Sequence, residues 1–234
     1  MTAPARPPAA GSAPAPTEAP AQRSDAVLSR SERSIRETFG EVPDGPVDAQ
    51  VRLLTAAADA FADRGFHATT TRDIAARAGL SPAGVYVHFA SKEDLLFELS
   101  RRGHVVARDL LVAAAANAGS PTQALQAIVG GFSRWHAEHY HLGRIVQFEF
   151  RHLSAVHREE VLALRKQIDR IVRDVLRDGV AAGEFEVDDV ADTALALLSL
   201  AVDVARWYEP GGRRTPEDIE AAYGTLAVRL ARRC

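Results

Sequence analysis

Cysteine is almost absent from this 234-residue chain, whose one copy is Cys234. No intrachain disulfide can form, thiol redox chemistry has no second sulfur, and a reducing compartment is expected. Aromatic residues are few, at 6% against 47% for all hydrophobic types. With β-branched runs scarce and alanine plentiful, helices are favoured over sheets, because Ala and Leu lose little on entering a helix. Long uncharged runs are missing too. The stretch "VADTALALLSLAVDVARW", Val190 to Trp207, is interrupted by Asp192, Asp203 and Arg206, and so falls short of the roughly twenty apolar residues of a membrane span. The opening "MTAPARPPAAGSAPAPTEAP" has no apolar core of a secretory signal, which points to the cytoplasm. GxGxxG, Walker, HExxH and G-x-S-x-G patterns are all lacking, and with them the common enzyme signatures. Glu149, Glu159 and Glu160 read as solvated or ion-paired helix residues. An all-α protein that is not an enzyme, with no cofactor, is expected.

A strong charge of one sign is lacking as well. The net charge of −3 sets up no global field that would draw in nucleic acid. Between Val51 and Lys92, however, Arg52, Arg64, Arg72, Arg77 and Lys92 outnumber Asp59, Asp63 and Asp73 by two. That surplus permits phosphate contact and equally suits a solvated face.

Residues 1–45 are rich in Pro, Ala, Ser and Gly and carry too little apolar surface to offset the entropy of ordering, so a disordered tail is expected. Within it, "LSRSERSIRETFG" would place Arg30, Arg33 and Arg36 together on a transient helix, as a minor-groove arm or simply as solvated chain. Helical periodicity begins at Val47. Val51, Leu54, Ala58, Phe61 and Ala62 repeat at helical spacing until Gly65. Thr70 or Thr71, with Asp73, opens a short helix whose inner stripe is Ile74, Ala75 and Ala78, and Gly79 ends it. Ser81 then caps a third helix of about two turns with Pro82 at its first position. Ser91 with Asp94 starts a long helix to about Ala116. Beyond Gly119 the signals predict a larger bundle: helices from Pro121 toward Tyr140, over 142–153, over 158–182, from Asp189 to Tyr208, and from Pro216 to Arg232.

Two short helices joined by a tight glycine-containing turn and braced by a longer one form a helix-turn-helix, here over residues 70–89. In such units the second short helix enters the major groove. Val85 and Phe89, at i and i+4, face inward toward Phe61, Ile74 and Leu54, which leaves Ser81, Pro82, Ala83, Gly84, Tyr86 and His88 outward. Gly84 costs about 1 kcal/mol of helix stability relative to Ala, a loss with a purpose if the helix sits deep against a duplex.

The stretch "LLTAAADAFADRGFHATTTRDIAARAGLSPAGVYVHFASKEDLL" resembles the DNA-binding domain of TetR-family transcriptional regulators, over about residues 47–107. The resemblance implies that Thr70, Thr71 and Arg72 open the second helix against phosphates and a base edge. It implies that Ser81, Pro82, Ala83, Gly84, Tyr86 and His88 read the groove and that Lys92 holds a phosphate. Chemistry supports those roles, since hydroxyls, helix-start N–H groups and cations are what phosphates accept from. Arg72 is the side chain suited to a bidentate guanine contact, and Pro82 and Ala83 suit thymine methyls. Val87 departs from the polar or aromatic residue frequent there in the family, so base reading leans on few contacts and on DNA shape.

The family resemblance further implies a homodimer on a palindromic operator, released when a small molecule occupies the C-terminal bundle, residues 108–234. Two recognition helices then lie one duplex turn apart, roughly 34 to 36 Å, with the last two helices as the expected interface. The C-terminal segment, "RWYEPGGRRTPEDI" above all, looks like the subgroup tied to lipid and sterol catabolism, where CoA thioesters are frequent effectors. Phe132, Trp135, Phe148 and Phe150 are candidates for an apolar slot, and Arg144, Arg151, Arg206, Arg213 and Arg214 for phosphate contact; an aromatic on a helical stripe is more often core than ligand wall. The run "HAEHYH" offers His136, His139 and His141, with His152 and His157 nearby, as a rival metal site. It lacks a cysteine partner and His141 falls off the shared face, so no metal is expected. Besides the DNA-binding repressor, two alternatives stand: a dimeric small-molecule sensor without DNA binding, and an enzyme.

Overall fold

The computed structural model describes Ile35 and residues 46–232; of residues 46–48 only the backbone is described. The described residues form helices and no strand. They are α1 (Pro46–Ala68), α2 (Thr71–Ala78), α3 (Pro82–Tyr86), α4 (Lys92–Ala116), α5 (Pro121–Glu138), α6 (Tyr140–Phe148), a 3₁₀ turn (Phe150–His152), α7 (Ala155–Ala181), α8 (Val190–Trp207) and α9 (Pro216–Ala231). None of these helices is long and apolar enough to cross a membrane.

The caps read from the sequence at Thr70, Ser81 and Ser91 recur as hydrogen bonds, and other helices are capped in the same way, including the long helix expected from 158, which starts at Ala155 behind Ser154. Thr70 and Asp73 make a reciprocal capping box at α2, and Thr215 and Asp218 make another at α9. Ser81, Ser91, Ser120 and Ser154 each accept an N–H from the third residue of the helix that follows. Every such cap satisfies one donor that the helix cannot, a contribution of about 1 kcal/mol. Gly65 interrupts α1 with φ 75° and ψ 168°, a backbone region open to glycine, and a last turn, 66–68, follows it. The α3 helix is shorter than the two turns expected, at five residues, because the chain turns out of helix once Val85 and Phe89 have reached the core.

The described residues hold two large clusters of core, a lower and an upper, and a small third one of Ala137, Tyr140, Val204, Ala205, Tyr208 and Ile219. In the lower one, Leu53, Leu54, Phe61, Ile74, Val85, Leu95, Leu96 and Leu99 are buried together, each adding about 2 kcal/mol on full burial. Ala62, placed on the inner stripe by the sequence pattern, is exposed instead. Leu142, Ile145, Val146, Leu153 and Val161 belong to this same cluster, so α6 and the start of α7 plug into the N-terminal three-helix unit. The sequence boundary at 107 therefore cuts α4 in mid-helix and separates groups that share a core. Ile35 is helical and 1% exposed in this cluster, which corrects the reading of 1–45 as wholly disordered at that position: its side chain has an apolar socket to fill. The proposed arginine arm and the remaining residues of 1–45 lie outside the described residues.

The upper core gathers Leu111, Leu125, Ile128, Phe132, Val172, Leu176 and Leu197. Here α5 and α9 approach so closely that glycines are required. A Cβ on Gly130 would stand 2.8 Å from the Glu220 carbonyl oxygen, and one on Gly224 would stand 2.8 Å from that of Gln126.

Candidate DNA-binding surface and ligand cavity

The turn between α2 and α3 is fixed from behind. Gly79 takes the left-handed conformation (φ 65°) and returns its N–H to α2, while the Arg52 side chain donates from α1 to the carbonyls of Ala78 and Gly79. Arg52, one of the cations of the local surplus that the sequence left open between phosphate contact and a solvated face, is therefore a C-terminal cap. Its signal was a cation one helix away from a glycine-ended helix, which only the fold brings together.

The other local charges resolve in the same way. Arg77 pairs with Asp63 at 2.8 Å and Arg64 stands 3.4 Å from Asp73. The Thr70 hydroxyl and backbone N–H, with Arg64 adding to them, hold the Asp73 carboxyl below the usual range. Lys92 donates to the carbonyl oxygens of Phe66 (2.6 Å), Thr69 (2.8 Å) and His67 (3.4 Å), so it ties the start of α4 to the end of α1. Arg72 remains: it is exposed and has no partner among the described residues.

The outward surface of α3 forms as the pattern requires. Val85 is fully buried and Phe89 nearly so, and Ser81, Pro82, Ala83 and Tyr86 are exposed, with Gly84 and His88 half-buried. The Thr71 hydroxyl lies 3.2 Å from that of Tyr86, joining the first turn of α2 to the end of α3. A Cβ on Gly84 would meet Ser81 Oγ at 3.4 Å and Leu80 Cβ at 3.7 Å, ordinary contacts that the chain could absorb. Among the described residues nothing demands glycine there. Val87, passed over in the sequence as a non-bonding position, is 78% exposed and gives the same surface an apolar knob.

A cavity of about 400 Å³ opens among α4, α5, α6, α7 and α8, within the size range of small-molecule sites. Phe132 and Trp135 line it, as the sequence suggested, opposite Leu142 and Val146 of α6 and Leu198 and Val202 of α8. The other candidates do not line it. Arg144 is spent closing the C-terminal end of α8, donating to the carbonyls of Ala205 (2.8 Å), Arg206 (3.0 Å) and Tyr208 (3.2 Å). Arg206 pairs with Asp203 at 2.6 Å. Phe148 is 57% exposed and borders a shallow cleft beside Arg144 and Arg206. Phe150 lies under Arg165, Arg151 is exposed beside His152, and Arg213 and Arg214 are in the exposed α8–α9 loop. For Phe150 and Arg151 the reason is local: α6 stops at Phe148, and the 3₁₀ turn takes them off the helical register.

The polar lining comes instead from His104, His136, Arg165, Lys166 and Asp169. His136 Nδ1 is 2.9 Å from the Phe132 carbonyl, and burial first, then neighbouring histidines, pushes its pKa down to about 4. The histidine run does not gather into a metal site. Among the described residues, the three ligand-type side chains that converge within 4.8 Å are Glu93, Asp94 and His157, and these join α4 to α7, with Glu93 accepting from the Ser154 N–H at 2.7 Å and lying 2.9 Å from His157 Nδ1.

A braced helix-turn-helix with a slim outer face, carried on a helical bundle around a ligand-sized cavity, defines a helix-turn-helix transcriptional regulator. Residues 53–99 match the model of bacterial regulatory proteins of the tetR family, and residues 118–231 match the tetracyclin repressor-like C-terminal domain. The chain is 33% identical over 199 residues, 81% of its length and 93% of the relative's, to the HTH-type transcriptional repressor KstR2 of Mycolicibacterium smegmatis. Among solved structures it resembles a tetR-family regulatory protein from Rhodococcus RHA1, with TM-score 0.75 and 34% identity over 80% of this chain and 98% of that one. It also resembles the ketosteroid transcriptional regulator KstR2 of Mycobacterium tuberculosis, with TM-score 0.73 and 29% identity over 83% and 98%. The chain belongs to the TetR family; it is a DNA-binding transcriptional regulator and not an enzyme.

Proposed function

We propose that the protein is a cytoplasmic homodimeric repressor that binds a palindromic operator and leaves it when a lipid-derived effector fills the cavity. The observation that carries this reading is the course of α4. Gly103, His104 and Ala107 of this helix line the cavity, while Lys92 at its start anchors the helix-turn-helix. The two ends are about 18 Å apart at 1.5 Å per residue. A second connection runs from α6, whose Leu142, Gly143 and Val146 line the cavity, through Glu149, which accepts the Phe66 N–H at 3.3 Å. An occupant that moves α4 or α6 moves the DNA-binding unit.

On the DNA side, Thr70, Thr71, Arg72, Ser81, Pro82, Ala83, Gly84, Tyr86 and His88 form the reading surface, with Lys92 supporting it. Dimerisation through α8 and α9 is favoured by the apolar side chains that these helices expose: Leu195, Leu200 and Trp207 on one, Leu226 and Leu230 on the other. A CoA thioester would place its acyl portion between Phe132, Trp135 and Leu198 and its phosphates outside, near the exposed Lys166. The test is fluorescence anisotropy of the full chain with duplexes from its own upstream region at two salt concentrations, followed by titration of acyl-CoAs. A two-fold symmetric site, affinity that falls steeply with salt, and release by one acyl-CoA class are expected. A strictly monomeric protein that ignores every palindrome at low salt would overturn the reading.

A further inference from the structure

Arg165, on the cavity lining, is oriented by the fold and has no counter-charge among the described residues. Arg165 shares the inward stripe of α7 with Val161, Ile168 and Val172, and its Nε donates to His104 Nε2 at 3.1 Å. The His104 ring is turned so that Nδ1 meets the Ser100 carbonyl at 2.7 Å, which assigns the ring proton to Nδ1 and an accepting lone pair to Nε2. Burial, ahead of the nearby Arg165, pushes the His104 pKa down to about 4, so the imidazole that holds Arg165 is neutral. Below the guanidinium lies the Phe150 ring, 4.2 Å away. Arg165 Nη2 is buried and has no hydrogen-bond partner among the described residues. No carboxylate among them answers its charge either: Asp169, which also lines the cavity, is paired with Arg173 at 2.7 Å.

A desolvated cation without a counter-charge is costly, and a donor pair preset in orientation is matched by a carboxylate. We propose that Arg165 is the anion receptor of this cavity, so that the effector has an apolar body and presents a carboxylate to the free guanidinium edge. This rests on the cavity being the effector site. The body would lie against Phe132, Trp135, Leu142, Val146, Leu198 and Val202. The carboxylate has two chemical sources: a free lipid acid, or the second acid group of a diacid held as a monothioester.

Isothermal titration of the full chain with dodecanoate, 1-dodecanol, dodecanedioyl-CoA and dodecanoyl-CoA tests it, alongside Arg165→Met and Arg165→Lys. The wild type is expected to bind dodecanoate at least about tenfold more tightly than the alcohol, and Arg165→Met to erase that difference while retaining the alcohol. Arg165→Lys, which keeps the charge and loses the fork, is expected to retain part of it. Preference for dodecanoate over dodecanoyl-CoA identifies the free acid as the source, and preference for dodecanedioyl-CoA over dodecanoyl-CoA identifies the diacid thioester. Equal binding of acid and alcohol by the wild type, or an undiminished preference in a folded Arg165→Met, overturns the receptor and leaves the cavity reading in place. Failure of all four probes to bind overturns both.

Discussion

Lys92 Nζ stands 2.6 Å from the Phe66 carbonyl oxygen and 4.3 Å from the centre of the Phe66 ring. With Thr69 and His67 also accepting from it, its three N–H donors all have carbonyl partners inside the protein. Replacing Lys92 by Met strips these carbonyls of a charged donor at the joint of α1 and α4. A loss of about 2 kcal/mol in stability is expected, read as a lower midpoint in urea. Operator affinity should fall by the same factor for every sequence, since the side chain sets the position of the whole unit and touches no base.

Arg72 is expected to behave in the opposite manner. It is exposed and unpartnered among the described residues, and a bidentate guanine contact is worth about 1 to 3 kcal/mol of discrimination. Arg72→Ala should leave the urea midpoint unchanged and flatten base preference at one position of each half-site, measured by competition with single-base variants. A uniform loss across all variants would assign Arg72 to phosphate.

The caps and stripes of α2 to α4 were legible because they are local: Thr70 with Asp73, Ser81 before Pro82, and Val85 with Phe89 each declare themselves within four residues. Ser120 before Pro121 and Thr215 with Asp218 are equally local caps in the bundle. What could not be read depends on contacts far apart in the chain. Arg52 reads as either a phosphate-facing or a solvated cation until α2 ends against it, 26 residues on. Arg165 looks like a solvated charge on an amphipathic helix until His104, 61 residues earlier, is placed beside it. Phe150 leaves the cavity face because helical spacing does not carry through the 3₁₀ turn, and Phe148, the last residue of α6, faces solvent. Phe132 and Trp135 both line the cavity, on a helix that runs unbroken through them.

Gly143 separates α6 from α8 at the cavity wall. A Cβ there would lie 2.8 Å from Ala205 Cβ, whereas one on Gly131 would meet nothing within 4 Å. Gly143→Ala must therefore push α6 away, at a cost of about 1 to 3 kcal/mol, and because α6 connects the cavity to Phe66 the effector concentration needed for release should change as well. Gly131→Ala should stabilise by up to about 1 kcal/mol and leave release unaltered. Thermal melts paired with operator-release titrations check both.

The buried histidines set a pH limit on the fold. His104 and His136 have pKa values lowered from 6.5 to about 4, chiefly by burial. Above pH 6.5 both are neutral whether the chain is folded or unfolded, so neither penalises the native state. Between 6.5 and about 4 the unfolded chain takes up protons that the folded one refuses, and stability falls with falling pH by up to about 1 kcal/mol per pH unit for each histidine. Urea denaturation at pH 7.5, 5.5 and 4.5 should show this decline. His136→Gln, which places a side chain that does not titrate against the Phe132 carbonyl, should remove about half of the histidine-dependent slope whatever its effect on stability at pH 7.5. An unchanged slope would mean that His136 takes up its proton in the folded protein as readily as in the unfolded chain, and that water reaches it through the cavity.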